Sequence, residues 1–123
     1  MKPTEKQIED RLPIWEALSE FFLDTELQMD DHERIAQILA ATAYTEKEIE
    51  GILIGEVYPV CRWNTLSVAG EWAGFHPDWL KEKISPRFGK RPRFRSLFIL
   101  RHVWMYASHW NKVKARIAEI RTG

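Results

Sequence analysis

Cysteine is nearly missing from this sequence: Cys61 is the only one in 123 residues. A lone cysteine excludes a disulfide scaffold and the paired Cys spacings of structural zinc sites. Long apolar runs are missing as well. The longest, Val103 to Ala107, has five residues, against about 20 for a helix that spans a bilayer. No apolar run follows Met1-Lys2-Pro3-Thr4, as a secretory leader would require. These absences predict a soluble, cytoplasmic protein without a membrane partner. No stretch alternates apolar and polar residues long enough to argue a sheet, and neither an internal repeat nor a low-complexity segment is present. The chain is long enough for one core and too short for two, so a single helical domain over residues 1–123 is expected.

Motifs for chemistry are also lacking. There is no C-x-x-C, no H-E-x-x-H and no acidic calcium loop. His102 and His109 lie seven residues apart, two helical turns along one face, too far for joint ligation without donors from other helices. On a mostly apolar helix they read as half-buried hydrogen-bonding residues. Cys61 stands beside Arg62, a cation able to lower a thiol pKa, but with no His in its local sequence it reads as a packing residue. None of the five Ser residues sits in a G-x-S-x-G elbow. Gly89-Lys90 lacks the rest of a phosphate loop, because Ile84 replaces the earlier Gly and Arg91 the magnesium-binding Ser or Thr. The abundant carboxylates gather in the first 56 residues, at expected helix starts and outer faces. No metal, no cofactor and no catalytic activity is therefore expected. The remaining enzymatic reading is a site assembled by the fold from His76, His102, His109 and carboxylates.

What is present is charge, unevenly divided. Residues 1–56 carry 14 acidic and 5 basic side chains, a balance of −9, and residues 57–123 carry 4 acidic and 13 basic, a balance of +9. The net charge of zero thus conceals two halves that either pair with each other or face different partners.

Apolar residues recur at intervals of three and four, which predicts an all-α protein: a compact bundle of about five helices with a long central C-terminal helix. Pro13 can open the first helix, with Ile14, Trp15, Leu18, Phe21 and Phe22 inward. Alternatively Ile8 and Leu12 extend it backwards, with Thr4 and Gln7 as a capping pair and Pro13 bending it. Asp30 and Glu33 predict the cap of a second helix that turns Ile35, Ile38 and Leu39 inward. Thr45 and Glu48 cap a third, which buries Ile49, Ile52, Leu53 and Val57 and stops at Pro59. Between Val60 and Phe75, Gly70 and Gly74 beside Trp63, Trp72 and Phe75 suggest tight packing around large rings. Pro77 opens a short helix with Trp79, Leu80 and Ile84. Ser85 to Arg95, with two Pro and one Gly, reads as an exposed basic loop. Ile99, Val103, Tyr106, Trp110, Val113, Ile117 and Ile120 form an unbroken stripe, predicting a helix from Phe94 to Arg121. Its first half is apolar all round and belongs at the centre. Its second half, with Lys112, Lys114, Arg116 and Arg121 opposite the stripe, belongs at the surface.

With no site to read, function is approached through surfaces. Eight basic residues between Lys81 and Arg101, interleaved with Phe88 and Phe94, would suit phosphate contacts and base stacking. The acidic half opposes this, so nucleic-acid binding through residues 81–101 is the alternative reading. A protein partner uses both halves, since charge complementarity raises association rate and discrimination. Trp15, Trp104 and Trp110 are assigned to the core, whereas Trp63, Trp79 and Phe88 are left open as interface anchors.

Two stretches resemble the signatures of a family of small uncharacterised bacterial helical proteins, a domain of unknown function. They are Pro13-Ile14-Trp15-Glu16-Ala17-Leu18-Ser19-Glu20 continuing to Leu23-Asp24-Thr25-Glu26-Leu27, and Ser67-Val68-Ala69-Gly70-Glu71-Trp72-Ala73-Gly74-Phe75. The resemblance brings no catalytic residue. Stand-alone proteins of this kind look like immunity proteins that neutralise a neighbouring toxin. The resulting expectation is a non-enzymatic protein-binding protein, an immunity protein that occludes a cognate toxin. Its contact residues are expected to be Asp24, Glu26, Asp30 and Asp31 on the acidic side and Arg91, Arg93 and Arg95 on the basic side. Their competing roles are helix capping and solvated surface.

Overall fold

The computed structural model describes residues 3–22, 28–61, 76–89 and 97–123, with side chains from 107 onward in the last segment. Every described element is helical, and no strand occurs among the described residues. Helix α1 spans Glu5–Ser19. The Thr4 hydroxyl accepts from the Gln7 amide at 3.2 Å, and the Gln7 side chain accepts from the Thr4 amide at 2.8 Å. The longer of the two expected helices therefore forms, with Pro13 inside it. Pro13 has no N–H for Glu9, but it lies on the exposed face, where water can serve that carbonyl. A tight turn over Glu20–Phe22 then drives Phe21 and Phe22 into the core.

Helix α2 spans Met29–Ala40 and starts one residue before the expected cap. The Gln28 amide donates to the Asp31 carboxylate at 2.9 Å, so Asp31 rather than Glu33 reaches back. Asp30 and Asp31 then share the first turn, where the helix dipole favours negative charge. This register buries His32, Ile35, Ala36 and Leu39, a stripe at intervals of three, one and three. Ile38, expected inward, falls off that stripe and is 36% exposed.

The third helix runs past its expected stop. Helix α3, Glu46–Ile52, continues through a wider π-turn at Leu53–Val57 into α4, Tyr58–Cys61. The Thr45–Glu48 cap forms as expected, with bonds of 2.9 and 3.1 Å, and Ile49, Ile52, Leu53 and Val57 are buried. Within the wide turn, the Tyr58 amide donates to Leu53, five residues back. Pro59 cannot donate to Gly55, four residues back. The Gly55 carbonyl accepts instead from Arg87 Nε at 3.3 Å and Nη2 at 3.1 Å. A proline that ordinarily ends a helix is accommodated by a side chain from a distant segment.

Helix α5, Pro77–Ile84, buries Leu80 and Ile84 and packs against α1. A tight turn at Ser85–Arg87 follows it. Helix α6, Leu97–Thr122, has 26 residues and is about 39 Å long. It packs chiefly along α2 and also touches α3 and the Glu20–Phe22 turn. Trp110, Val113 and Ile117 are buried, so the stripe is realised where side chains are described. Its second half packs by this stripe, and Lys112, Lys114 and Arg121 on the opposite side are exposed, as expected. With α3 and α4 as one rod, the described residues form five rods around a core built on Ile14, Trp15, Leu18, Ile35, Leu39, Leu53 and Ile117. Residues 62–75, with their aromatic and glycine residues, and residues 90–96, where most of the expected basic loop falls, lie outside the described residues.

Candidate functional site

The first turn of α2 brings Asp30 and Asp31 together beside Met29. Met29 is 84% exposed, the most exposed large apolar side chain among those described. Asp31 is partly occupied locally, through the Gln28 amide and a 3.4 Å contact with Arg34. The Gln28 bond, followed by Arg34, holds its carboxyl below the ordinary value of 3.8. Asp30 is exposed and makes no ion pair among the described residues. The turn thus presents a flexible apolar side chain flanked by carboxylates. Asp24, Glu26, Arg91, Arg93 and Arg95 lie outside the described residues.

Part of the divided charge is matched within the molecule. Glu33 of α2 meets Arg116 of α6 at 2.7 Å, and Glu46 of α3 meets Arg121 of α6 at 3.3 Å. Arg121 also donates to the carbonyls of Leu39, Ala40, Thr42 and Tyr44, at distances from 2.6 to 3.4 Å, closing the end of α2 and the connection to α3. Trp110 Nε1 donates to Glu50 at 3.0 Å. Arg34 grips Glu20 through two bonds of 2.5 and 2.7 Å. Among the described residues, the acidic and basic halves are thus joined by two ion pairs, Glu33–Arg116 and Glu46–Arg121.

A second cluster lies inside. Glu56, expected on an outer face, is 3% exposed. Its Oε2 accepts from Arg11 Nη1 at 2.5 Å and from the Gly89 amide at 3.0 Å, and its Oε1 accepts from Trp15 Nε1 at 2.9 Å. The wide π-turn aims Glu56 inward, and the positive φ of 74° at Gly89, natural to glycine, directs its amide to the carboxylate. The Arg11 guanidinium lies 4.0 Å from the centre of the Phe88 ring and 5.3 Å from that of Tyr44. Phe88 is thereby half-buried under Arg11, and Arg87 is held on Gly55. Two members of the proposed nucleic-acid segment are thus occupied within the protein.

The histidines separate. His76 is exposed and caps α5 by accepting from the Asp78 amide at 3.1 Å. His109 faces His32, whose Nε2 stands 2.9 Å from His109 Nδ1. The side chain of His102 lies outside the described residues. No group of three or more His, Cys, Asp or Glu side chains converges as metal donors would among the described residues. Burial pushes the Cys61 thiol up to about 12, which makes it inert and consistent with packing.

Sequence reading missed Arg11, His32 and Glu56. The available signal was position: each sits on an apolar stripe, Arg11 four residues before Trp15, Glu56 three after Leu53, and His32 three before Ile35. Among the described residues, no helix is long and apolar enough to cross a membrane. The family described as a domain of unknown function, DUF7079, matches residues 9–116, and the chain belongs to it. No curated protein and no solved structure matches the chain.

Proposed function

We propose that this member of the DUF7079 family is a non-enzymatic protein-binding protein whose contact surface is centred on the first turn of α2. The observation that carries the reading is Met29, 84% exposed beside Asp30 and Asp31. Methionine adapts its shape to a partner surface, and flanking carboxylates favour encounter with a cationic one. The pairing of Glu33 and Glu46 with Arg116 and Arg121 removes those carboxylates from the charge offered outward, whereas Asp30 stays exposed beside Met29. In its narrower form, the protein is a bacterial immunity protein that occludes a cationic surface of a toxin encoded beside it. Asp24 and Glu26, a few residues before Asp30 in sequence, would extend that surface, with Arg91, Arg93 and Arg95 as a second contact.

Co-expression with the product of the adjacent gene tests the narrower form. Protection of cells from that product, with the two proteins purifying together, supports it. A neighbour that is not toxic, or toxicity that persists in the presence of this protein, ends the immunity reading.

A further inference from the structure

We propose that His32 and His109 form a pH-sensitive clasp between the start of α2 and α6, closed at neutral pH and loosened by acidification. The two facing nitrogens, Nε2 of His32 and Nδ1 of His109, are 2.9 Å apart. The ring centroids are 5.1 Å apart, which is the nitrogen separation plus roughly two ring radii, so the nitrogens point at one another head on. Rings sharing a metal ion would instead converge on a third point. Only one proton fits between these nitrogens, donated by one ring and accepted by the other. When both rings are fully protonated, two N–H groups face each other and two like charges meet at hydrogen-bond distance. The second protonation therefore breaks the contact.

The surroundings reinforce this coupling. His32 is buried on the inner stripe of α2, and Phe21 of the Glu20–Phe22 turn stacks on His109 with centroids 5.9 Å apart. The charged groups that act on His32 are Lys112 on α6 and Asp31 on α2, while Glu20 of the neighbouring turn is held by Arg34. Burial, followed by Lys112, holds His32 below its ordinary value of 6.5, and Asp31 opposes the shift. A histidine depressed in the folded state binds fewer protons there than in the unfolded chain. Its stabilising share is thus complete above the ordinary 6.5 and is lost as pH falls below it towards the folded value. The element released is the first turn of α2, yet the clasp rests on its own geometry and not on the binding reading.

Imidazole nitrogen NMR of the full chain, titrated from about pH 8 to about pH 5, tests the clasp. The expected result is one protonated and one unprotonated nitrogen across the contact at neutral pH, and coupled titration with the second midpoint displaced below 6.5. Denaturant stability should fall in the same window. His32→Gln and His109→Asn, which keep an amide in place of the ring nitrogen, should flatten that fall. Two rings titrating independently at the ordinary value would overturn the proposal, whatever the variants do. Parallel stability curves for wild type and folded variants would also overturn it. So would a zinc-dependent rise in melting temperature abolished by either variant, since the pair would then be half of a metal site.

Discussion

Arg116 Nε lies 2.7 Å from Glu33 Oε1 and 3.1 Å from Oε2, joining residues 83 positions apart. One belongs to the acidic half of the chain and the other to the basic half. Together with Arg121 at Glu46, this contact turns the opposed charges of the two halves into a device that seats α6 along α2 and α3. Overall charge then says little about partners. What remains informative is the charge that folding leaves unmatched, and Asp30 next to the exposed Met29 is one such case.

The buried Glu56 carboxylate accepts from three donors, two on α1 and one at Gly89, so its removal should be among the most damaging single changes. Glu56→Ala leaves the Arg11 charge and the Trp15 N–H without a partner, and we expect a loss of about 3–5 kcal/mol. Glu56→Gln keeps an acceptor and should lose distinctly less. Urea unfolding followed by Trp fluorescence measures both. Equal losses in the two variants would show that volume rather than polarity dominates at this position.

Arg121 serves four carbonyls and one carboxylate. Arg121→Ala should destabilise the protein by about 1–2 kcal/mol. Hydrogen exchange should quicken first at the end of α2 and in the connection to α3. Arg121→Lys should recover only a minor part, because a single ammonium cannot reach acceptors spread along the connection as a planar guanidinium does. Full recovery with Lys would reduce the interaction to charge alone.

Acid should destabilise the fold in a second stage below that of the histidines. Gln37 and then Arg116 hold Glu33 below its ordinary 4.5, the Thr45 amide and hydroxyl do the same for Glu48, and the Gln28 amide lowers Asp31 from 3.8. Each group has a lower value folded than unfolded. Their stabilising share is present above the ordinary values and is lost as pH falls through 4.5 and 3.8 towards the folded values. Melting temperature against pH should therefore keep falling below 4.5, with the Glu33 share reduced by added salt. A flat curve in that range would contradict the caps and the Glu33–Arg116 pair.

Cys61 is buried with its thiol pushed up to about 12. A water-soluble thiol reagent at neutral pH should label it only through opening of the fold, so labelling should accelerate with denaturant and in Glu56→Ala. Rapid labelling of the native protein would show that Cys61 is open to solvent.

Local patterns made much of the fold legible in the sequence. The Thr4–Gln7 and Thr45–Glu48 caps need only residues three apart, and the Trp110, Val113 and Ile117 stripe needs only helical spacing. The illegible parts all depend on distant partners. Asp30 with Glu33 is as good a capping pair as Gln28 with Asp31, but Glu33 points to an Arg116 that no local reading connects to it. Arg11 and Glu56 occupy core-facing positions that either charge alone would spoil. They are tolerated because each neutralises the other across 45 positions. Pro59 marks a helix stop in any local reading, and Arg87, from another segment, takes the carbonyl it leaves. His32 and His109 meet across 77 positions by the same logic. For the proposed contact surface, composition indicated acidic residues near Asp30, whereas the exposure of Met29 emerges only once the register of α2 is known.

The central claim is that the first turn of α2 is a protein-binding surface, and a double substitution there tests it most directly. Met29→Ala with Asp30→Asn changes exposed side chains only and should alter stability by less than about 1 kcal/mol. Calorimetric titration of the adjacent gene's product against the wild type and this variant is the decisive measurement. We expect the wild type to bind and the folded variant to bind at least about tenfold more weakly, a loss of about 1.4 kcal/mol or more. Equal affinity of the two proteins, or no binding by the wild type, would contradict the account.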